Sequence, residues 1–271
     1  MCRVTFDSNV WRKVASPSKF PKDPHLDLYR KLNDSCRTGT IQGFLSETTF
    51  TLEQIKRKER LAWLKSSTQL STLKSTIISP NMVKIQIGIK SKKTFVPQCI
   101  QMVKNHLNDA YAIGFRVFRS KRILGPHSEL LKDTKYFLNY SSETEFHRYN
   151  NKNGEIARIL ESMGVGIANI KYKGQEISLG KGSGHWIDGI AMLPDSEKDK
   201  VAELVAEWAD TDAIATSIAH DVEYFCTNDV GKRSSNKGVV SAMSSVKSQV
   251  ISSKFGIQFV TPEELVQKLG L

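Results

Sequence analysis

The chain contains no apolar run approaching the roughly 18 residues of a membrane-crossing helix. Its first residues also lack the basic, apolar and small-residue sections of a secretory leader. These absences predict a soluble protein that stays in the cytoplasm. Cysteine is scarce: Cys2, Cys36, Cys99 and Cys226 are scattered, with no Cys-x-x-Cys pair and no histidine at zinc-ligand spacing. That excludes a disulfide framework and a zinc finger alike. A working phosphate loop is missing too. Gly180-Lys181-Gly182-Ser183-Gly184-His185 has its look, but five residues rather than four separate Gly174 from Gly180-Lys181. Gly182 also stands where a Ser or Thr would hold magnesium. The stretch reads as a flexible loop, with His185 expected to pack beside Trp186.

Negative charge is in the minority. The 271 residues hold 39 Lys and Arg against 28 Asp and Glu, a formal net charge of +11. Residues 51–135 alone hold 17 Lys and Arg against 5 Asp and Glu, so this block carries the whole excess. Charge placed for solubility is interspersed in sign, and a one-signed block points instead to a polyanionic partner, here a nucleic acid. Arg57, Arg60, Arg116, Arg119, Lys121 and Arg122 are candidate contacts within the block, with Lys232 and Arg233 further on. Phe115 and Phe118 interleave with Arg116 and Arg119. Such a mixture suits phosphate pairing with base stacking, or equally a strand with a basic face and a buried aromatic one.

What is present reads as alternating strands and helices. Arg3 to Phe6 is a short strand ending on Asp7-Ser8-Asn9, and a helix is predicted from Leu26 to Cys36. Ile41 to Leu45 is the next strand; Ser46 is an N-cap, with Glu47 in the first turn of a helix continuing through Leu64. A change of character after Ser66 and Pro80 marks an insertion, holding an alternating strand at Val83–Ile89, a helix from Pro97 to Tyr111 and another from Gly154 to Met163. Lys173-Gly174 reads as a hairpin turn. Ser196 to Trp208 is an amphipathic helix, and Asp212 opens a second helix with Ile214, Ala215, Ile218 and Ala219 on one face. Val222 to Thr227 is a strand ending on Asn228-Asp229. A helix near Val239–Val250, a strand at Ile257 and Phe259, and a capped helix from Thr261-Pro262-Glu263-Glu264 complete the chain. This order favours an α/β fold with a mostly parallel central sheet flanked by helices.

Asp7, Glu47, Asp212 and Asp229 then stand at strand ends or at helix starts, with Asp210 close by. Singly, acids at helix starts are explained by the macrodipole. As an ordered set at one sheet edge they would repel one another unless cations lay between them, and oxygen-only ligands select magnesium or manganese. Such ions activate water for phosphodiester cleavage, and an acidic metal site beside a basic surface is the layout of a nuclease.

Phe6-Asp7-Ser8-Asn9, Ser46-Glu47, Asp212-Ala213-Ile214-Ala215, Thr227-Asn228-Asp229 and the closing Thr261-Pro262-Glu263-Glu264 together resemble the PIN domain family. The resemblance covers residues 1–76 and 196–271 and leaves residues 77–195 as a large basic α+β insertion, a substrate-binding region, because 165 positions separate Glu47 from Asp212. It implies a metal-dependent endoribonuclease leaving a 5′ phosphate and a 3′ hydroxyl. Asp7, Glu47, Asp212 and Asp229 would be the catalytic ligands of Mg2+ or Mn2+, with Asp210 as an additional metal ligand. Asn9 and Thr227, with Asn228 beside it, would support them from behind. Proteins of this kind often have an inhibitory protein partner, although no residue here points to one. The competing expectations are a nucleic-acid-binding module with a degenerate acidic site and a DNA-directed flap-type nuclease.

Overall fold

Hydrophobic alternation and short turns build seventeen regular elements in the computed structural model, which describes residues 1–67, 73–79, 82–87, 100–120, 128–180, 182, 185–230 and 240–271. The chain begins with β1 (Cys2–Phe6), α1 (Trp11–Ala15), α2 (Leu26–Arg37), β2 (Ile41–Ser46) and α3 (Arg60–Ser67). An antiparallel ribbon of β3 (Leu73–Ser79) and β4 (Met82–Ile87) follows, then α4 (Ile100–Ala112) and β5 (Arg116–Phe118). Three helices, α5 (Glu143–Ser162), α6 (Ile167–Leu179) and α7 (Trp186–Ala191), precede α8 (Lys198–Ala219). The chain closes with β6 (Tyr224–Cys226), α9 (Ser245–Phe255), β7 (Gln258–Val260) and α10 (Pro262–Leu269). None of the helices described is long and apolar enough to cross a membrane.

The main sheet has the order β5-β2-β1-β6-β7, and every pairing in it is parallel. All five carboxyl ends therefore share one edge. Period-two alternation gives the sheet two apolar faces. Val4 and Phe6 join Val10, Trp11, Leu32, Val117 and Leu265 in the core under α1, α2, α4 and α10. Thr5 points the other way, accepting a hydrogen bond of 2.8 Å from the Ser217 hydroxyl of α8. On that second face Phe225 packs with Ile214, Ile218, Ile251 and Leu160.

Several expectations are corrected. β5 lies inside the segment read as an insertion, yet it pairs with β2 and forms an edge of the main sheet. Phe115 and Phe118 are buried, stacked on Phe6 and Phe44, so the buried-aromatic alternative holds for both. The helix expected from Ser46 breaks into 3-10 turns at Glu47–Phe50, Leu52–Gln54 and Arg57–Glu59. Ser46 does cap the first, accepting from the Thr48 amide. The break falls at Thr51, whose backbone (φ −120°, ψ −89°) leaves the helical region between the first and second turns. The two helices expected on either side of Asp210 are instead the single α8. Ala209-Asp210-Thr211 contains no breaker, and the Thr211 hydroxyl donates to the Glu207 carbonyl within the ladder.

The hairpin expected at Lys173-Gly174 is the middle of α6. Gly174 serves close approach rather than a turn. A Cβ on Gly189 would overlap the carbonyl of Gly174, and one on Gly174 would overlap that of Trp186, so α6 and α7 meet backbone to backbone. Gly189→Ala is expected to force the pair apart and to destabilise the protein by about 2 kcal/mol, the usual scale of overpacking. A lowered denaturation midpoint with an unchanged slope is the readout.

The rim of α5 is fixed to the sheet by His220. Its ring lies between Phe118 and Tyr149, with centroids 4.1 and 4.6 Å away. Nδ1 donates to the Thr216 carbonyl at 2.7 Å, so Nε2 accepts from the Tyr140 hydroxyl at 2.9 Å. Burial pushes the imidazole down to about 4 and keeps it neutral.

Candidate active site

From β1 the chain moves outward to β2 and β5, then returns to the other flank for β6 and β7. The order of strands therefore reverses between β1 and β6, and the crevice beyond their carboxyl ends is where open parallel sheets bind ligands. Asp7 follows β1 directly, and Thr227-Asn228-Asp229 follows β6. The reversal thus places these two segments side by side although some 220 residues separate them in the chain.

Asp7 is 6 % exposed and rigidly held. Oδ1 accepts from the Ser8 amide at 2.7 Å, and Oδ2 accepts from the Thr227 hydroxyl at 2.6 Å. Asn9 supports the opposite wall. Its amide nitrogen donates to Asp229 Oδ2 at 2.7 Å and to Thr227 Oγ1 at 3.3 Å, and its Oδ1 accepts from the Asn228 backbone at 3.2 Å. Asn9, Thr227 and Asn228 are thus hydrogen-bonded to one another and to two of the acids.

Asp7 has two acidic neighbours. Asp7, Glu53 and Asp210 each offer a carboxylate oxygen within 4.8 Å of the others, enough to surround one cation. Asp210 reaches the crevice from the middle of α8, whose later turns lie against the sheet while its earlier turns run on into a second core with Trp63, Ile170 and Ile190. Glu53 reaches it from the second 3-10 turn after β2. Its Oε1 is buried without a hydrogen-bond partner, which leaves that oxygen open to a ligand.

The electrostatics follow from this crowding. Burial, then the charge of Asp7, pushes Glu53 up to about 7. Burial raises Asp210 well above the usual carboxylate range, with Asp7, Glu53, Glu207 and Asp229 adding to the effect. Asp7 is raised by burial and by Asp229, against the hydrogen bonds that favour its charged form. Glu207, one turn before Asp210 and 9 % exposed, is likewise raised to about 7, chiefly by burial. Carboxylates held together at this cost fit a hard divalent cation, and oxygen-only donors are what magnesium and manganese take.

Glu47 and Asp212 are placed otherwise. Glu47 sits at the carboxyl end of β2, but its Oε2 accepts from the Ser120 amide at 2.6 Å, bridging to the loop after β5. Asp212 is 1 % exposed within α8, two residues beyond Asp210. On a helix that offset points it roughly 200° away from its neighbour. Sequence reasoning misses Glu53 because it expects a continuous helix there. Thr48, Thr49 and Thr51 are the available signal that the ladder breaks and aims a later acid at the crevice.

The basic candidates separate as clearly. Arg60 turns inward, donating to the carbonyls of Ile55 and Ala202 at 3.1 and 2.6 Å, and its charge lies close enough to oppose the rise of Glu53. Arg57 pairs with Glu203 at 3.3 Å and Asp199 at 3.7 Å. Arg116 donates to the Phe115 carbonyl and lies 4.4 Å over the Tyr111 ring, and Arg119 lies 4.4 Å over Phe137. Lys121, Arg122, Lys232 and Arg233 fall outside the described residues.

Beside the carboxylates opens a cleft of about 280 Å³ lined by Ser8, Asn9, Arg12, Thr49, Glu53 and Gln54. Comparison with protein-family models, with curated proteins and with solved structures found no match to this chain.

Proposed function

We propose that the protein is a metal-dependent endoribonuclease of PIN-like architecture, with Asp7, Glu53 and Asp210 as its cation ligands and Asp229 beside them. The observation that carries this reading is the convergence of three carboxylates at the point where the strand order reverses. In it, Glu53 takes the role that the resemblance gives Glu47, and Asp210, expected as an additional ligand, takes the role given to Asp212.

A bound Mg2+ or Mn2+ ion supplies a lowered water pKa and a positive charge beside the phosphate. The chain's own groups supply orientation. Thr227 and the Ser8 amide fix both oxygens of Asp7, so its carboxylate keeps one plane whether or not a ligand is present. Asn9 fixes Asp229 in the same way. Arg60, tied to two carbonyls, is a permanent counter-charge behind Glu53 and Asp210 that offsets the repulsion among the acids. The basic excess of residues 51–135 would attract the polyanionic substrate at long range.

The test is cleavage of a labelled, mixed-sequence RNA with manganese, magnesium or EDTA, using wild type and Asp7→Asn. Cutting that needs metal and falls by about a hundredfold or more in the variant is expected, with RNA affinity measured in EDTA largely kept. Retained RNA binding without cutting under any metal would overturn the enzymatic reading.

A further inference from the structure

Three cations lie on or beside α1, and their surroundings differ. Lys13 pairs with Asp23 at 2.7 Å, and Lys19 pairs with Asp109 at 2.6 Å. Arg12, half-buried between them, forms no ion pair among the described residues. Among those residues it is also the only cation lining the cleft beside the acidic group. Glu53 lines that same cleft, and no ion pair joins the two. A guanidinium remains charged at any working pH, so a half-buried one without a carboxylate calls for an anion from outside.

We infer that this cleft is a phosphodiester-binding subsite. Arg12 holds a backbone phosphate of RNA next to the one lying at Asp7, Glu53 and Asp210. The inference rests on the nuclease reading for the identity of the polyanion. The polarity of the cleft supports it: Arg12 brings it a fork of N–H donors, and Glu53 brings it one carboxylate of the acidic group. A nucleic-acid strand crossing it would meet positive charge on both sides once a cation is bound. Asn9 and Gln54 also line the cleft, their amide nitrogens tied to Asp229 and to the Thr49 carbonyl.

The experiment measures binding of a labelled single-stranded RNA in EDTA, where nothing is cut, and cleavage in manganese on the same preparations. Arg12→Ala is expected to weaken binding about tenfold or more, the scale of a charge-assisted contact. It should also flatten the dependence of log affinity on log salt by about 0.7, one phosphate contact on a single strand. Arg30→Ala removes an equal charge from an exposed pair with Asp27 and is expected to change affinity less than about twofold. Arg12→Gln keeps the aliphatic stem and carries the same test if Arg12→Ala fails to fold. Equal, small effects of the Arg12 and Arg30 substitutions overturn the inference, whether or not wild type cuts. A selective Arg12 effect in a wild-type protein that does not cut sustains the subsite and retires the nuclease reading instead.

Discussion

Replacing Glu53 by Gln is expected to lower RNA cleavage in manganese by about a thousandfold, or ~4 kcal/mol of transition-state stabilisation, and to raise the melting temperature of the metal-free protein. Loss of activity with gain of stability is the signature of a residue kept for its ligand. At neutral pH the Glu53 charge lies against Asp7 and Asp210 in a half-buried crevice, so a neutral amide of the same shape relieves repulsion and can donate to either acid. The same amide presents one poor oxygen to a divalent cation in place of a carboxylate. Glu47→Gln is the matched control. Its amide oxygen still accepts from the Ser120 backbone, so cleavage within about threefold of wild type is expected. If Glu53→Gln cut as fast as wild type while Glu47→Gln did not, the acid group would have to be redrawn around the end of β2.

Without metal, the buried carboxylates are expected to withdraw several kcal/mol of stability between about pH 4.5 and pH 7, at ~1.4 kcal/mol per pH step for each proton that only the native state retains. Glu53 and Glu207 are raised from 4.5 to about 7 in the folded protein. Within that window the native state therefore holds protons that the unfolded chain has released. More protons on the native state means that unfolding becomes easier as pH rises. Their favourable contribution is full below pH 4.5 and gone above 7, and Asp7 and Asp210 push the same way. Asp23 and Asp109, held low by Lys13 and Lys19, act with the opposite sign only below their ordinary value of 3.8, while His220, pushed down to about 4 by burial, and His106, also lowered by burial, act with the opposite sign up to 6.5 and offset part of the loss. Denaturant midpoints in EDTA between pH 5 and 7.5 should fall with pH, and millimolar manganese should flatten the trend by holding the carboxylates ionised. A flat profile in EDTA would show that the acids are not crowded in solution.

Much of this arrangement is legible from residue order. The β-formers before Asp7 and Asp229 place both at strand ends, and the structure brings both to one crevice. Thr261 with Glu264 reads as a capping box and is one, each side chain bonding the other's backbone. What fails are judgements that depend on tertiary distance. Gly174 reads as a turn because local sequence cannot show that a second helix needs its missing side chain. Asp210 and Asp212 are both acids on one helix, and only the angle at which α8 crosses the sheet decides which of them faces Asp7. Arg12 carries no signal in the sequence at all, since its distinction is that the acids nearby are already taken by Lys13 and Lys19.

The central position of β1 also governs when the crevice can exist. Its neighbours come from opposite ends of the chain, β2 from residues 41–46 and β6 from residues 224–226. During synthesis the first strand and Glu53 emerge first, and Asp210 and the Thr227 hydroxyl that aligns Asp7 arrive only after residues 54–209 have been made. Domains assemble in the order their segments appear, and long-range parallel pairing is slow. A growing chain therefore carries no complete acid group until α8 and β6 have emerged, and on the nuclease reading the message that encodes it is spared until then.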